Sequence, residues 1–185
     1  NLGVSVVYVT HDQTEALTMS NRVAVFDDGV IQQLDPPDVL YEQPVNAFCA
    51  YFIGENNRLY GTVKEIKDGV CTVELDGSGK MVKSKQVNVD KAGERTTLSL
   101  RPERVIINPE GEAATNALTG KVQELIYLGD HIRTRMVVSG NEDFIVKIPN
   151  AHGHAALKVG EEATVGWVTE DCRALDATAH EAIPD

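Results

Sequence analysis

The length, composition and charge of the chain predict a folded, acidic protein. It has 185 residues, 42% of them hydrophobic, and a formal net charge of −11 at pH 7. That apolar content is enough for a core and excludes a disordered chain. An acidic chain without a basic stripe is also a poor candidate for binding nucleic acid or an anionic membrane surface.

The cysteines and the hydropathy pattern bear on the cellular compartment. Cys49, Cys71 and Cys172 are odd in number and match no metal or redox spacing, which predicts the reduced thiols of a cytosolic protein. We find no charged-then-apolar leader and no apolar run near about eighteen residues, so neither a signal peptide nor a membrane span is predicted. Because the sequence lacks an initiator Met and starts inside an apolar run, we expect it to be part of a longer protein.

The first stretch combines a strand pattern, a histidine and a helix start. Residues 4–9 are short, β-branched and almost unbroken by polar residues, which predicts a strand buried on both faces of a mainly parallel sheet. Asp12 is the predicted N-cap of the next helix, and Glu15 completes a capping-box pattern. His11 lies between them, at a position where open α/β sheets bind ligands. Position alone leaves an ordinary turn residue as an equally good interpretation.

The next elements are a hairpin and two short helices. The pair Asp28-Gly29 between two strand-like runs predicts a tight hairpin over residues 22–34. Pro near a first helical position predicts a short helix that includes residues 39–41. A second helix is predicted at residues 45–53, with Phe48, Phe52 and Ile53 packed together as core and not as a ligand site.

The polar break at residues 54–57 predicts a domain boundary. Beyond it, short strands separated by turn signals predict a small antiparallel barrel. The candidate strands are residues 59–66, 70–75, 80–83, 97–101, 105–107, 118–128, 132–138, 144–148, 163–168 and 174–175. Two of them, LYGTVKEI at 59–66 and LTGKVQEL at 118–125, share one pattern, which predicts a barrel built from two similar halves.

Residues 9–23, VTHDQTEALTMSNRV, resemble the switch-histidine segment of the ATP-binding subunits of ABC importers. The resemblance continues through VFDDGVIQQLDPPDVLYEQP at 25–44 and reaches FIGENN at 52–57, where that family passes from its ATPase domain to an appended β-domain. Residues 59–177 more loosely resemble that domain, the OB-like transport-associated (TOBE) domain, through LRPE at 100–103 and YLGDH at 127–131.

The resemblance implies a mainly β chain: an OB-like antiparallel barrel of the TOBE type, preceded by an α/β remnant of a nucleotide-binding domain. Residues 1–55 would be that C-terminal remnant, residues 59–177 the barrel and residues 178–185 a tail. His11 would be the switch histidine that contacts the γ-phosphate of ATP, and it is the one candidate catalytic residue. ATP and Mg²⁺ would be cofactors of the whole protein. We expect this chain alone to bind no cofactor and no metal and to be inactive, because the family's phosphate loop would precede residue 1.

The same resemblance implies a function and partners. The chain would be the C-terminal part of the subunit that couples ATP hydrolysis to solute uptake, with a polyamine such as spermidine or putrescine favoured over sugar, iron or sulfate. Its partners would be permease subunits, an extracytoplasmic solute receptor and a second copy of the ATPase subunit, with no nucleic acid. The protein would be cytoplasmic and held on the inner face of the membrane by the permeases, and the barrel would serve regulation or dimerisation.

A second function class stays open, in which the chain is a free-standing OB-type module that binds a small oxyanion or an oligonucleotide. Three weaker motifs are interpreted structurally. The run DGSGKM at 76–81 lacks the first Gly and the Ser or Thr of a phosphate loop, which predicts a hairpin turn. His152 and His154 are expected in an exposed loop and not in a metal site. His131, which could titrate near neutrality, is expected to be a turn residue that pairs with an acid or stacks on Tyr127.

Overall fold

The computed structural model describes residues 4–150 and 157–177, and the chain divides into two compact units between Gly54 and Glu55. The first unit contains helix α1 (Gln13–Met19), strands β1 (Val23–Asp27) and β2 (Val30–Asp35), and helices α2 (Pro37–Glu42) and α3 (Ala47–Phe52). Where it is described, the second unit is β structure with two short 3-10 turns. No helix among the described residues is long and apolar enough to cross a bilayer.

The predicted hairpin of the first unit is confirmed. Strands β1 and β2 pair antiparallel, and both residues of the connecting turn have positive φ, +46° at Asp28 and +77° at Gly29. This is the backbone conformation of a turn whose twist matches that of the strands, and Asp-Gly suits it because Gly adopts positive φ without steric cost.

Residues 4–9 do not form the predicted buried strand, and that prediction is wrong for this structure. They pair with no described strand, and their valines range from 72% exposed at Val4 to 92% at Val7. The physical reason is the lack of a neighbour. A strand needs a neighbouring strand to satisfy its backbone donors and acceptors. In this unit β1 and β2 pair with each other, and neither pairs with residues 4–9.

The prediction for helix α3 is confirmed in position but not in its buried face. Cys49 and Ile53 enter the small core with Val25 and Leu40, since residues four apart share one side of a helix. Phe48 and Phe52 form the neighbouring side and stack on each other with ring centroids 5.6 Å apart. Phe52 nevertheless stays 40% exposed, so its assignment to the core is corrected.

The described residues of the second unit form ten strands. They are β3 (Asn57–Lys67), β4 (Val70–Leu75), β5 (Met81–Gln86), β6 (Arg95–Leu100), β7 (Ile106–Ile107), β8 (Asn116–Tyr127), β9 (His131–Val138), β10 (Asn141–Pro149), β11 (Glu162–Trp167) and β12 (Cys172–Asp176). The 3-10 turns are Pro102–Arg104 and Thr169–Asp171. Each candidate strand from the sequence overlaps one of these ten.

The mainly β fold with a barrel is confirmed, and the structure adds a second sheet. Five strands close into a barrel in the order β12-β5-β4-β3-β6, with β12 parallel to β5. The other five form a sheet in the order β10-β9-β8-β11-β7. One hydrophobic core runs through both, from Leu59 and Val63 in the barrel to Phe144 and Trp167 in the second sheet.

The internal repeat places β3 and β8 at equivalent positions, one in each sheet. Both strands carry a β-bulge at the same point of the pattern, after Val63 in β3 and after Val122 in β8. Each is followed by an antiparallel hairpin partner, β4 or β9. The shared sequence pattern therefore encodes a shared long, bulged strand at the start of each half.

The two halves exchange their last strands. Strand β7, which ends the first half, pairs with β11 of the second half, and β12, which ends the second half, pairs with β6 and β5 of the first half. Neither half completes its sheet from its own residues. This exchange joins the halves into one cooperative domain.

Candidate functional site

His11 lies on an exposed bend immediately before helix α1. The predicted N-cap is confirmed: Asp12 has extended backbone, and its Oδ1 accepts hydrogen bonds from the backbone N–H groups of Thr14 at 2.8 Å and Glu15 at 3.1 Å. This cap satisfies two of the N–H groups that a helix start leaves unpaired. It holds the residue after His11 in a defined position.

The second half of the predicted capping box is wrong. In a capping box, Glu15 would accept a hydrogen bond from the backbone N–H of Asp12. Here the Asp12 N–H donates to the hydroxyl of Thr10 at 3.0 Å, and Glu15 Oε2 accepts from Thr10 Oγ1 at 2.9 Å and from the Tyr8 hydroxyl at 3.1 Å. The Thr10 hydroxyl lies between the two predicted partners and bonds to both. The sequence shows that Thr10 is present, but it does not show that Thr10 replaces Glu15 as the acceptor for the Asp12 N–H.

The imidazole of His11 is available to an incoming ligand, but few other groups near it suit a nucleotide. Residues 1–54 contain no Lys and one Arg, Arg22, whose Nη2 donates to the carbonyl of Leu34 at 3.3 Å. Tight binding of a triphosphate needs several backbone donors and cations. These residues can therefore supply one contact to a phosphate, not a complete nucleotide site.

The phosphate-loop-like run is a hairpin turn, as predicted. It joins β4 to β5, with positive φ at Gly77 and Gly79 and a backbone hydrogen bond of 2.9 Å from Leu75 N–H to the carbonyl of Lys80. The flanking elements are strands and not a strand and a helix. Its backbone therefore serves the turn and does not form a phosphate cradle.

The histidine and cysteine predictions can be compared where those residues are described. His131 Nδ1 lies 2.9 Å from Asp130 Oδ1, so the expected pairing with an acid is confirmed, and this hydrogen bond is the main cause of a lowered pKa at Asp130. His152 and His154 lie outside the described residues. Cys49, Cys71 and Cys172 are buried thiols that form no disulfide, and burial raises the pKa of Cys172 to about 12, which removes thiolate reactivity at neutral pH. Among residues 4–150 and 157–177, no group of three or more His, Cys, Asp or Glu side chains is placed to hold a metal ion.

The second unit has an open cleft of about 440 Å³ between the start of β3, the β4–β5 turn and the β9–β10 turn. Three acids, Asp76, Glu142 and Asp143, line it together with one cationic side chain, Arg58. Arg95, outside the lining, donates to Asp76 Oδ1 at 2.8 Å. Asp143 Oδ1 also lies 3.6 Å from Arg135 Nη1, so nearby arginines largely balance the acids of the lining. The cleft therefore has no excess positive charge to hold an oxyanion or a nucleic acid phosphate.

An ion-pair cluster at the start of the second unit could not be seen in the sequence. Glu55 Oε1 lies 2.6 Å from Arg133 Nη2, and its Oε2 lies 3.2 Å from Lys147 Nζ. Glu55 and Arg133 are 78 positions apart. Partial burial alone raises the pKa of Glu55, but the hydrogen bonds and charges of Arg133 and Lys147 outweigh it and hold the pKa below its ordinary value of 4.5.

Comparison with protein families identifies the domain. Residues 98–175 match the model of the TOBE domain. They include the end of β6, the whole second sheet and β12, which are the parts that carry the strand exchange.

Curated relatives match most of the chain. A spermidine/putrescine import ATP-binding protein from Pseudomonas fluorescens is 36% identical over 162 residues, covering 87% of this chain and 43% of the relative. The protein of the same name from Thermotoga maritima is 36% identical over 174 residues, 91% of this chain and 45% of the relative. That from Chromobacterium violaceum is 45% identical over 131 residues, 70% of this chain and 36% of the relative. The chain thus spans less than half the length of these relatives.

A solved structure supports the fold. The cytoplasmic molybdate-binding protein ModG aligns with a TM-score of 0.57 and 18% identity, covering 65% of this chain and 95% of that chain. At this identity the likeness concerns the fold alone.

The closed barrel, the second sheet and the matched segment define the class of the second unit: it is an OB-like domain of the TOBE type. Over most of its length the chain is similar to the C-terminal part of the proteins named spermidine/putrescine import ATP-binding proteins.

Proposed function

We propose that the protein is the ATP-hydrolysing subunit of an ABC importer for a polyamine such as spermidine or putrescine, with this chain as its C-terminal part. The observation that carries the proposal is the placement of His11 on an exposed, capped corner, within a chain whose relatives are named spermidine/putrescine import ATP-binding proteins.

His11 acts on the γ-phosphate of ATP. In phosphoryl transfer the protein mainly positions the attacking water and stabilises the charge that develops on the phosphoryl oxygens. An imidazole N–H within hydrogen-bond reach of the γ-phosphate contributes to both tasks. A lysine would bind the ground state and the transition state more evenly, and so would accelerate the reaction less.

ATP and Mg²⁺ are the cofactors of the whole protein. Residues 4–54 fit one part of that site, a single donor at His11 beside a capped helix, and the groups that hold the remaining phosphates and the metal come from the rest of the ATPase domain. The role of this segment is to present the imidazole from a fixed corner.

The second unit serves as a regulatory or dimerisation module of the ATPase subunit. The partners are permease subunits, an extracytoplasmic solute receptor and a second ATPase subunit, and the protein works on the cytoplasmic face of the membrane. Support comes from the relatives' names, which describe import and ATP binding. Nucleic acid is not a partner, because the chain is net acidic and its sequence has no basic stripe.

Uptake tests the proposal and its substrate class together. In cells that lack the full-length gene, uptake of labelled spermidine and putrescine should fall and return on complementation, while maltose and sulfate uptake should not change. Loss of sugar or sulfate uptake with normal polyamine uptake would refute the polyamine assignment. Unchanged uptake of every solute would refute the assignment of the protein as an importer subunit.

The second candidate, a free-standing OB-type binding module, is favoured only by the fold shared with a molybdate-binding protein. The net charge of −11 argues against it, because such a chain repels oxyanions and phosphates. Calorimetric titration of the chain with molybdate, sulfate and a single-stranded oligonucleotide at low salt should give no saturable binding, since even weak phosphate contacts are detected at low salt.

A further inference from the structure

The hydroxyl of Thr10 connects the two sides of His11. Its oxygen accepts from the Asp12 backbone N–H at 3.0 Å and donates to Glu15 Oε2 at 2.9 Å. The first bond closes a short turn of the kind that Ser and Thr side chains form with the N–H two residues on, and His11 is the residue inside that turn. The second bond ties the turn to the first turn of helix α1.

Both neighbours of His11 are thereby fixed to the same helix. Asp12 is held by its cap hydrogen bonds to the N–H groups of Thr14 and Glu15, and Thr10 is held by the Glu15 carboxylate. Thr10 and Glu15 are half-buried, whereas His11 is exposed. The backbone on each side of the imidazole is restrained while the imidazole itself faces solvent.

We propose that Thr10 and Glu15 are positioning residues for His11, which fix its backbone so that the imidazole points in one direction. This inference rests on the proposed role of His11 in ATP hydrolysis. Neither side chain touches the nucleotide in this proposal. They act through the Thr10–Asp12 turn. By restraining the backbone of His11, they limit the orientations of the imidazole to those that reach the γ-phosphate.

The chemistry of the hydroxyl explains why an acceptor is needed at position 15. A threonine hydroxyl has one proton and two lone pairs. When the proton is donated to Glu15, a lone pair faces the Asp12 N–H, and both bonds form together. Without an acceptor at position 15 the hydroxyl can rotate, and the turn around His11 loses its anchor. A glutamine keeps an acceptor oxygen at that place, and a serine at position 10 keeps the hydroxyl.

The test measures kcat and KM for ATP in the full-length protein assembled with its permease subunits. Glu15→Ala and Thr10→Val should each lower kcat about tenfold, less than the hundredfold that a displacement of about 1 Å can cause, with KM changed by less than about twofold. Glu15→Gln and Thr10→Ser should keep most of the wild-type kcat. Thr18→Ala is the matched control, because its hydroxyl bonds only within the same helix, to the carbonyls of Thr14 and Glu15, and it should leave kcat unchanged.

Double variants separate positioning from general destabilisation. Both substitutions remove the Thr10–Glu15 hydrogen bond; Thr10→Val also removes the bond to the Asp12 N–H, and Glu15→Ala removes the bond from Tyr8. If the shared bond positions His11, Thr10→Val combined with Glu15→Ala should be about as slow as the slower single variant and well short of the product of the two single effects. In a His11→Ala background, Glu15→Ala should have no further effect on the residual rate, whereas a purely structural defect would lower it again. Thr10→Val nearly preserves shape, so it keeps the test decisive if Glu15→Ala does not fold.

The outcomes also separate this inference from the function on which it rests. If His11→Ala keeps a near-normal kcat, the proposed role of His11 fails. If His11→Ala is slow but Thr10→Val and Glu15→Ala match wild type, or if Glu15→Gln is as slow as Glu15→Ala, the positioning role alone is overturned.

Discussion

The side-chain amide of Asn57 holds the main chain of Ile145 through two hydrogen bonds of 2.7 Å, one donated to the carbonyl of Ile145 and one accepted from its N–H. Asn57 begins β3, and Ile145 lies in β10 of the other sheet. Asn116, which begins β8, makes the same pair of bonds to Lys83 in β5, at 3.0 Å and 2.6 Å. Each half thus uses the first residue of its long strand to bind the other half.

Asn57→Ala should lower the free energy of unfolding of the chain by about 3 kcal/mol, since it leaves a buried N–H and a buried carbonyl without partners. Asn57 is 1% exposed and Ile145 is 5% exposed, so water cannot replace the lost bonds. Asn116→Ala should cost less, about 1 to 2 kcal/mol, because Lys83 is exposed. The measurement is urea denaturation followed by circular dichroism.

Asn88→Ala is the control for this pair. Asn88 also makes two bonds to one residue, since it accepts from the Asp176 backbone N–H at 2.8 Å and donates to the Asp176 carboxylate at 2.9 Å. These bonds lie at the surface, so their loss should cost about 0.5 kcal/mol. Equal losses for Asn57→Ala and Asn88→Ala would show that Asn57 is not a special link between the halves.

The two glycines of the repeat should respond differently to alanine. A Cβ at Gly61 would lie 2.5 Å from the backbone oxygen of Glu74, whereas a Cβ at Gly120 would meet side chains, Val138 Cγ2 at 2.7 Å and Met136 Cε at 3.0 Å. Side chains can move more easily than the main chain of a paired strand. Gly61→Ala should cost about 3 kcal/mol and Gly120→Ala about 1 kcal/mol. Thermal and urea unfolding of the two variants check the order, and a larger loss at Gly120 would contradict it.

Glu55→Gln should make stability depend differently on pH. Because Arg133 and Lys147 hold the pKa of folded Glu55 below 4.5, the carboxylate stabilises the fold fully above that value and loses its contribution as the pH falls through the folded pKa. The variant should therefore be less stable than wild type at pH 7 by about 1 kcal/mol, and the difference should shrink below pH 4.5. Urea denaturation from pH 7 to pH 3 measures it. Glu110→Gln, at an exposed loop position, is the control, and its stability relative to wild type should not change in this way with pH. If the difference in free energy of unfolding between Glu55→Gln and wild type stays constant with pH, the ion-pair account is contradicted.

The chain of 185 residues by itself should not bind Mg-ATP with micromolar affinity. One hydrogen bond to a charged group contributes about 1.5 to 3 kcal/mol, whereas micromolar binding needs about 8 kcal/mol. Calorimetric titration with Mg-ATP should show no saturable heat, and a micromolar dissociation constant would mean that residues outside the His11 corner form a nucleotide site.

His11→Ala in the full-length protein should lower kcat for ATP hydrolysis while nucleotide binding stays largely intact. The imidazole acts on charge that appears in the transition state, and the loss of one such donor costs about 2.7–4 kcal/mol, or roughly a hundredfold to a thousandfold in rate. His11→Asn should recover little, because its donor has a shorter reach. Steady-state hydrolysis in the assembled importer, with nucleotide affinity measured separately, decides the point. Near-normal hydrolysis by the alanine variant would make His11 an ordinary turn residue.

Much of the local structure could be predicted from the sequence because its causes are local. The Asp28-Gly29 turn, the Asp12 cap and the strands between turn signals depend on residues a few positions apart. The repeat beginning at Leu59 and Leu118 also predicted two similar halves, and the bulges of β3 and β8 match it. The candidate role of His11 came from its sequence pattern and stays a prediction, and the structure adds its exposed position before the helix start.

The tertiary structure decided what depends on a distant partner. An apolar run such as residues 4–9 has strand propensity, but without a hydrogen-bonding neighbour it forms no strand and stays exposed. The exchange of β7 and β12 and the ion pairs of Glu55 join residues that no sequence period connects. The choice of Thr10 over Glu15 as partner for the Asp12 N–H was set by the distances among three side chains. Sequence by itself determined the caps, the tight turns and the strand segments between them. Packing determined which strand-like segments form paired strands and which strands meet, because pairing energy is gained only when both partners are in place.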